Sequence, residues 1–245
     1  MLSAYRSLVA VIVVSVITCT AFAQTNLVQN PSFETGAIGP EWNVVSNGSG
    51  RVRSVTSADS LYFGAMPAVL AGNGTRQAAL DEFGPSTIIL YQDIALPVNH
   101  TVTAQATVAM VNFPLAGASN FYRVDIVSPI ASTIALGTTG TNTAATFGAN
   151  VLATLLLRPD NLTNVSPAVD TSAVDISAYA GQTVRIRAVV NASTNYTQGI
   201  LDNVRVIATP LAAPASIPTL SEWALIGLSS LLAMFGMTRM RRRSV

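Results

Sequence analysis

The sequence predicts an all-β fold, an antiparallel β-sandwich, for residues 24–207. Three observations support it: apolar and polar residues alternate along several segments, turn-forming residues separate these segments, and no sustained helical stripe occurs among them. In an antiparallel sheet such alternation places one face against the core and leaves the other in water. We therefore expect two sheets, each with one buried face and one wet face.

The longest alternating segment has apolar residues at the even positions from Val102 to Met110 and polar residues at the odd positions from Thr101 to Thr107. Two shorter segments, around Val124 and around Ile186, repeat the pattern with charged residues between the apolar ones. Period-two alternation is typical of a half-buried strand. Asn99 precedes the longest segment, and asparagine tolerates positive φ well enough to form a turn there.

Two connecting segments have a different composition. Ser132 to Ala153 is rich in Thr, Ala and Gly with a poor strand pattern, which indicates either a long loop or weak edge strands. Asp175 to Gln182 predicts a single capped turn, in which Asp175 or Ser177 accepts from free amides and Gly181 takes the left-handed exit.

Residues 1–23 have the features of a secretory signal peptide. A short basic region with Arg6 is followed by the apolar stretch Leu8 to Ile17, and Ala21 and Ala23 place small residues at the two positions that a signal peptidase inspects. We therefore expect signal peptidase to act on the chain after Ala23 and the protein to be exported.

The composition of residues 24–216 excludes several classes of function. The region holds eight arginines, eleven Asp and Glu residues and no lysine, a formal net charge of −3, which argues against a nucleic-acid partner. The single cysteine, Cys19, lies in the signal peptide, so the mature domain can form no disulfide and has no thiol nucleophile. The single histidine, His100, excludes a His-Glu-x-x-His metal site.

The last part of the chain begins with a predicted spacer at residues 208–216, where Pro210 and Pro214 interrupt short apolar stretches. Residues 217–245 follow with a short motif, an apolar run and a basic end. The motif consists of Ile217, Pro218, Thr219, Leu220, Ser221, Glu222 and Trp223, and the basic end contains Arg239, Arg241, Arg242 and Arg243.

The apolar run at residues 223–238 predicts a helix that reaches roughly 24 Å, slightly short of a bilayer core. Snorkelling of the flanking arginines closes most of the gap, and these arginines favour the cytoplasmic side. The sequence therefore predicts a marginal transmembrane helix, with the membrane as a partner through residues 223–238.

The C-terminal residues resemble the IPTL-type sorting domain of Gram-negative bacteria, which is similar in plan to the PEP-type signal. The motif matches from Ile217 to Trp223 without a gap, and Ala224 stands where family members usually carry Gly. The resemblance implies that an exosortase, a membrane-embedded cysteine-dependent protease or transpeptidase, recognises Ile217 to Leu220 and removes the helix. A plain C-terminal anchor is the alternative. Pro218 favours processing, because proline keeps its surroundings extended and accessible to a protease.

Residues 26–208 resemble the galactose-binding-like jelly roll of carbohydrate-binding modules. The resemblance is carried by an early Asn30-Pro31-Ser32-Phe33-Glu34 and a late Asp202-Asn203-Val204. In that family the two segments meet where the terminal strands lie together, often around a structural calcium ion. The matching positions here are Glu34 and Asp202, which the resemblance implies as calcium ligands.

A physical argument also points to Asp202. It shares the even phase of Ile200, Val204 and Val206, which predicts that its carboxylate faces inward and needs a partner or a cation. The alternative is that Asp202 caps a turn or accepts hydrogen bonds from backbone amides.

Sugar binding in carbohydrate-binding modules commonly uses aromatic platforms. The candidates in this chain are Trp42, Tyr62, Tyr91, Tyr122 and Tyr196. We expect Trp42 and Tyr122 to be buried and Tyr196, which lies in a polar stretch, to be the exposed candidate.

A glycosidase would need two carboxyl groups at a defined separation, which a sequence does not reveal. The candidates are Glu34, Glu41, Asp59, Asp81, Glu82, Asp93 and Asp125. Most of these residues are expected to be solvated or to lie in turns.

Taken together, these observations predict an exported, non-catalytic surface or extracellular-matrix protein of a Gram-negative bacterium. Its role is structural or adhesive, within extracellular polysaccharide, after passage through the inner membrane and processing by signal peptidase and exosortase. A carbohydrate-binding module for a specific glycan is the alternative, and a glycoside hydrolase is less favoured. Structural calcium is the one cofactor expected.

Overall fold

The alternating segments of the sequence form long antiparallel strands. The computed structural model describes residues 23–56, 59–61, 64–67, 74–113, 119–139, 141–159, 164–212 and 220–242. The chain divides into two compact units, Met1–Leu211 and Ala212–Val245. The first unit contains the strands, and the second contains the helix α1 (Leu220–Arg242).

The strands in the described residues run, in chain order, β1 (Thr25–Asn26), β2 (Asn43–Ser46), β3 (Arg51–Val55), β4 (Ser60–Leu61), β5 (Gly64–Pro67), β6 (Gln77–Phe83), β7 (Ser86–Ala95), β8 (His100–Phe113), β9 (Phe121–Val127), β10 (Val151–Pro159), β11 (Asn164–Asp170), β12 (Val174–Asp175), β13 (Thr183–Ala192) and β14 (Tyr196–Pro210). Three short 3₁₀ helices lie at Ala131–Ile134, Thr146–Gly148 and Ser177–Tyr179.

Two sheets form the sandwich. The larger has the strand order β11-β8-β14-β6-β3, with β1 added beside β14 and β12 beside β8. The smaller has the order β10-β9-β13-β7-β2, and β4 and β5 form a separate ribbon. Each of these strand pairs is antiparallel, which confirms the predicted architecture.

The main core lies between the two sheets and is built by the alternation that the sequence shows. Along β8 the even residues from Val102 to Met110 belong to this core. On the facing sheet, Val124 and Ile126 of β9 and Ile186 of β13 enter the same cluster. Burial of these apolar side chains is the main favourable term for the fold, at roughly 25 cal/mol for each Å² removed from water.

The prediction of one wet face per sheet is wrong for the five-stranded sheet. The charged residues that alternate with the core residues of β9 and β13 are buried: Arg123, Asp125 and Arg187 are at most 4% exposed. Residues 128–139 and 141–148 lie over this outer face, and we call them the cover segment. Its Phe147 packs with Ile89 in a second apolar cluster outside the main core.

The structure also decides whether Ser132 to Ala153 is a long loop or forms edge strands. The described residues before β10 form loops and the 3₁₀ helices at Ala131–Ile134 and Thr146–Gly148, and the edge strand β10 begins only at Val151. The long-loop interpretation is therefore right for most of Ser132 to Ala153, and the edge-strand interpretation is right for its end.

The end of the sandwich domain lies later than predicted. Ala208, Thr209 and Pro210 pair with Val102, Thr101 and His100 of β8. They continue β14, so the segment predicted as a spacer from residue 208 begins only after this strand.

The two predicted turns are confirmed. Asn99 has φ 56°, and Gly181 has φ 82° at the exit of the turn before β13. The amide of Ser177 donates to Asp175 Oδ1 at 2.8 Å, and the Ser177 hydroxyl accepts from Val102 N at 2.8 Å. The capped turn thus also ties the chain to the beginning of β8.

The predicted C-terminal helix is present as α1, and it extends through Arg242. The predicted transmembrane span is not confirmed: within the described residues, no helix has both the length and the apolar character that crossing a membrane requires. Other predicted features, Ala21 of the signal peptide, the motif residues Ile217 to Thr219 and Arg243, lie outside the described residues.

Candidate functional site

The two segments that carry the jelly-roll resemblance meet at the terminal strands. β1 pairs with the end of β14, and the amide of Val204 donates to the carbonyl of Pro31 at 2.9 Å. The Asn26 side chain adds two bonds, from its Nδ2 to Val204 O and from Val206 N to its Oδ1, each 3.0 Å. The early and late motifs are therefore neighbours in space.

Glu34 holds a loop together at the end of the early motif. Its Oε1 accepts from the amides of Thr75 and Arg76 at 2.9 and 2.8 Å, and its Oε2 accepts from the Thr75 hydroxyl at 2.8 Å. The amide of Arg76, followed by the donors of Thr75, holds the pKa of this exposed carboxyl below its usual value.

Asp202 is buried, but the inward orientation predicted for it is wrong. The pairing of β14 with β8 shifts register between Asp202 and Arg205, and Asn203 has φ 44°. This bulge changes the phase of the strand, so Ile200 and Val204 belong to different apolar clusters.

The register places Asp202 on the outer face of the larger sheet. Asp202 lies opposite Thr107, and directly opposed residues of an antiparallel pair share one face. Thr107 lies on the outer face because its neighbours Ala106 and Val108 are in the main core. The Oδ1 atom of Asp202 accepts from the amide of Asn203 at 2.7 Å. This bond agrees with the alternative that Asp202 accepts hydrogen bonds from backbone amides.

The structure does not establish a calcium site at these carboxylates. Both oxygens of Glu34 already accept hydrogen bonds from the loop at residues 75–76. No group of three or more His, Cys, Asp and Glu side chains placed to hold a metal occurs in the part of the chain that the structure describes. Calcium prefers six to eight oxygen ligands. A calcium ion held by Glu34 and Asp202 stays a prediction.

The aromatic candidates for sugar platforms are mostly internal. Trp42 and Tyr122 are buried as predicted, and Tyr91 is half-buried with the Arg185 guanidinium 4.4 Å from its ring centroid. The expectation that Tyr196 is exposed is wrong: it is 6% exposed, and its hydroxyl donates to Asp81 Oδ1 at 3.0 Å. Tyr62 lies outside the described residues.

Most of the candidate carboxylates have structural partners. Asp81 accepts from Arg53 at 2.6 Å and from the side chain of Gln198, and Asp59 accepts from the Thr56 amide at 2.6 Å. Asp93 pairs with both Nε and Nη2 of Arg185. These contacts hold strands and turns in place.

Asp125 lies at the centre of a buried ion-pair network on the outer face of the smaller sheet. It accepts from Arg123 Nε at 2.5 Å and Nη2 at 2.8 Å, and from Arg187 Nη2 at 3.2 Å. Thr154 of the edge strand adds a bond of 3.2 Å. Burial lowers the pKa of the Arg187 guanidinium, and the charge of Asp125 opposes that shift.

The arginines of this network hold the cover segment by its backbone. Arg123 Nη1 donates to the carbonyl of Ala144 at 2.6 Å, and Arg187 donates to the carbonyls of Thr133 and Phe147. Because guanidinium groups carry fixed, planar donors, they can bind several carbonyls of a segment that has no strand partner. The charged residues of β9 and β13 therefore fix the loop that covers them.

Glu82 is a buried carboxyl group near the end of β6. It lies on the same face of β6 as Leu80, a residue of the main core, and it is fully buried. Its Oε1 accepts from the Ser86 hydroxyl at 2.6 Å. Burial raises the pKa of Glu82 to about 7, against the opposing bonds from Ser86 and the amide of Gly50.

Two of the candidate carboxylates, Glu41 and Asp93, line a cleft. A cleft of about 440 Å³ lies beside β7, and we call it the Glu41 cleft; it is lined by Leu27, Gln29, Pro40, Glu41, Asn43 and Ile94, among others. Glu41 Oε2 is buried and has no hydrogen-bond partner among the described residues. The sequence marked Glu41 only as one acid among seven, because nothing local distinguishes it.

Comparison with known families bears on the C-terminal segment. A model described as the IPTL-CTERM motif matches residues 215–242. The chain carries an IPTL-CTERM motif. The match confirms the resemblance predicted from Ile217 to Trp223, and it extends over α1 to Arg242. No curated protein matches the chain.

Several solved structures are similar to this chain. One is the family 61 carbohydrate-binding module TmCBM61 in complex with β-1,4-galactotriose, with 15% identity, 74% of this chain and 97% of that chain covered, and a TM-score of 0.46. Another is the K3 cleaved adhesin domain of Lys-gingipain from Porphyromonas gingivalis W83, with 17% identity, coverage of 77% and 99%, and a TM-score of 0.43. A third is a Stig cyclase from Fischerella sp. TAU, with 18% identity, coverage of 78% and 100%, and a TM-score of 0.42.

Proposed function

We propose that this chain is an exported, non-catalytic protein of the bacterial surface or extracellular matrix, where its sandwich domain has a structural or adhesive role within polysaccharide. We further propose that an exosortase processes its C-terminal segment. The single observation that carries the proposal is the IPTL-CTERM motif at residues 215–242. The motif begins after the first compact unit ends at Leu211, so removal of the segment leaves the described strands of the sandwich intact.

The structural roles of the carboxylates support a non-catalytic domain. Asp93 and Asp125 are engaged by arginines, and Glu34 binds a neighbouring loop. Glycoside hydrolysis requires two carboxyl groups facing one substrate site, about 5 to 10 Å apart. Of the seven candidates, only Glu41 and the arginine-paired Asp93 line the Glu41 cleft.

Processing of the IPTL-CTERM motif predicts a shortened mature protein. Mass spectrometry of the surface-released protein from its native host is expected to find a C-terminus near Leu220 and no peptide that contains Arg243. Changing Ile217 and Pro218 together to Ala is expected to leave the full-length chain in the cell, because the recognised segment is then altered.

The matched control for this experiment is Pro214→Ala, which changes a proline just before the motif. It is expected to be processed like the wild type. Surface material that retains Arg243, or equal processing of the altered motif, would count against handling of the tail by an exosortase.

A further inference from the structure

The Glu41 cleft has a rigid frame. The Gln92 side chain accepts from Gln29 N at 2.9 Å and donates to the carbonyls of Gln29 and Glu41, each at 3.1 Å. The Trp42 indole also donates to Gln29 O, at 3.1 Å. These bonds connect the N-terminal segment, the residues before β2 and the strand β7, so the cleft exists before any ligand arrives.

Glu41 contributes a carboxyl group to the Glu41 cleft, and it forms no ion pair with any residue that the structure describes. The other carboxylate of the lining, Asp93, is bound by Arg185 through two bonds of 2.6 and 2.8 Å. The Oε2 atom of Glu41 is shielded from solvent and accepts no hydrogen bond from the described residues. The Glu41 residue itself belongs to the lining of the cleft, so its carboxyl group is placed next to any ligand there.

The remaining lining residues define what kind of donor fits the Glu41 cleft. Leu27 and Pro40 provide apolar surface, and Gln29 and Asn43 add amide groups. An ammonium group has three donors, a positive charge and no acceptor, which complements a carboxylate in a partly desolvated site. A short aliphatic stem behind that group would pack against the apolar residues.

We propose that the Glu41 cleft binds a primary ammonium group on a short aliphatic stem, as in a lysine side chain or a free aliphatic amine. The ammonium group donates to the Glu41 carboxylate, and its methylene groups lie against Leu27 and Pro40. The chain contains no lysine, so the side chains of a second copy cannot supply this group. The ligand therefore comes from a different molecule.

Binding is tested with 1,5-diaminopentane as the probe and the purified full chain, by NMR titration or calorimetry. We expect saturable binding to the wild type and a loss of affinity of about tenfold or more in Glu41→Gln, because a hydrogen bond to a charged group contributes about 1.5 to 3 kcal/mol. Glu34→Gln is the matched control, since Glu34 contacts only the loop at Thr75 and Arg76 in the described contacts, and it is expected to bind like the wild type.

Two further probes are applied to the wild type, so their results do not depend on the folding of a variant. They also distinguish a lysine side chain from a free amine as the ligand. N-acetylated pentylamine has the same stem without the charge and is expected not to bind. Blocked lysine, with both backbone ends capped, is expected to bind if the cleft accepts lysine side chains, whereas binding of the diamine alone would assign the cleft to free amines. No saturable binding of either amine by the wild type, equal affinity in Glu41→Gln, or equal binding of the acetylated probe would overturn the proposal.

Discussion

The Asp125→Asn variant is expected to lower the free energy of unfolding by about 3 to 5 kcal/mol, the range found when one partner of a buried ion pair is removed. Asp125 accepts from two arginines, Arg123 and Arg187, and all three side chains are buried. Asparagine has nearly the same shape but no charge, so both guanidinium groups lose their counter-ion in a site that excludes water. Urea or guanidinium denaturation measures the loss.

The control for this variant is Asp170→Asn, which makes the same chemical change at an exposed ion pair. Asp170 binds Arg205 at 3.0 Å, and about half of its side chain is exposed. Exposed pairs typically contribute less than about 1 kcal/mol, so the control is expected to lose little stability. Equal losses in both variants would contradict a central role for the buried network.

A second readout separates the network from a general loss of stability. Because the arginines hold the cover segment through its carbonyl groups, Asp125→Asn is expected to speed proteolytic cleavage within residues 128–148 under conditions where the sandwich stays folded. Cleavage that stays as slow as in the wild type would show that the cover segment is held by its apolar contacts, such as those of Phe147.

The second large effect is expected from Glu82 and depends on pH. Its pKa is about 7 in the folded protein against an ordinary value of 4.5. Between these two values the native state keeps the proton that the unfolded chain releases, so rising pH favours unfolding. The stability present at pH 4.5 is therefore expected to fall by up to about 3 kcal/mol as the pH rises through 7, and to change little from this group above that.

Glu82→Gln removes this titration and keeps a side chain of the same size. Thermal melts from pH 4.5 to 8 are expected to show a flatter stability profile for the variant and a higher melting temperature than the wild type at pH 8. Glu34→Gln provides the control: the pKa of Glu34 is lowered in the folded protein, so its contribution to stability is lost only below its ordinary value of 4.5, and this variant is expected to keep the wild-type slope from pH 4.5 to 8. Parallel profiles for Glu82→Gln and the wild type would refute the assignment.

Much of the fold follows from local pattern. The alternation around Val102 to Met110 predicts β8, and the charged and apolar residues around Val124 and Ile186 predict β9 and β13. Asn99 and Gly181 identify their turns because few residues adopt positive φ without strain. These features depend on residues that are close in sequence, so they can be deduced from the sequence alone.

The errors share one cause, which is that burial depends on what packs from elsewhere in the chain. Tyr196 lies in a polar stretch, yet it reaches Asp81 across the sheet. Asp202 has the phase of Val204 in the sequence, but a bulge at Asn203 separates them. A bulge adds one residue to a strand, and the alternation before it does not predict the change of face that follows.

By itself the sequence determined that the chain carries a C-terminal sorting motif and what kind of fold it has. The motif that begins at Ile217 is a linear signal, and strand periodicity is a local property, so both are complete in the order of the residues. Only the tertiary structure decided which carboxylates bind arginines and which one, Glu41, lines a cleft with an oxygen that accepts no hydrogen bond from the described residues. The physical reason is that the partner of a charge, such as Asp125 for Arg187, is set by strand pairing between residues 62 positions apart.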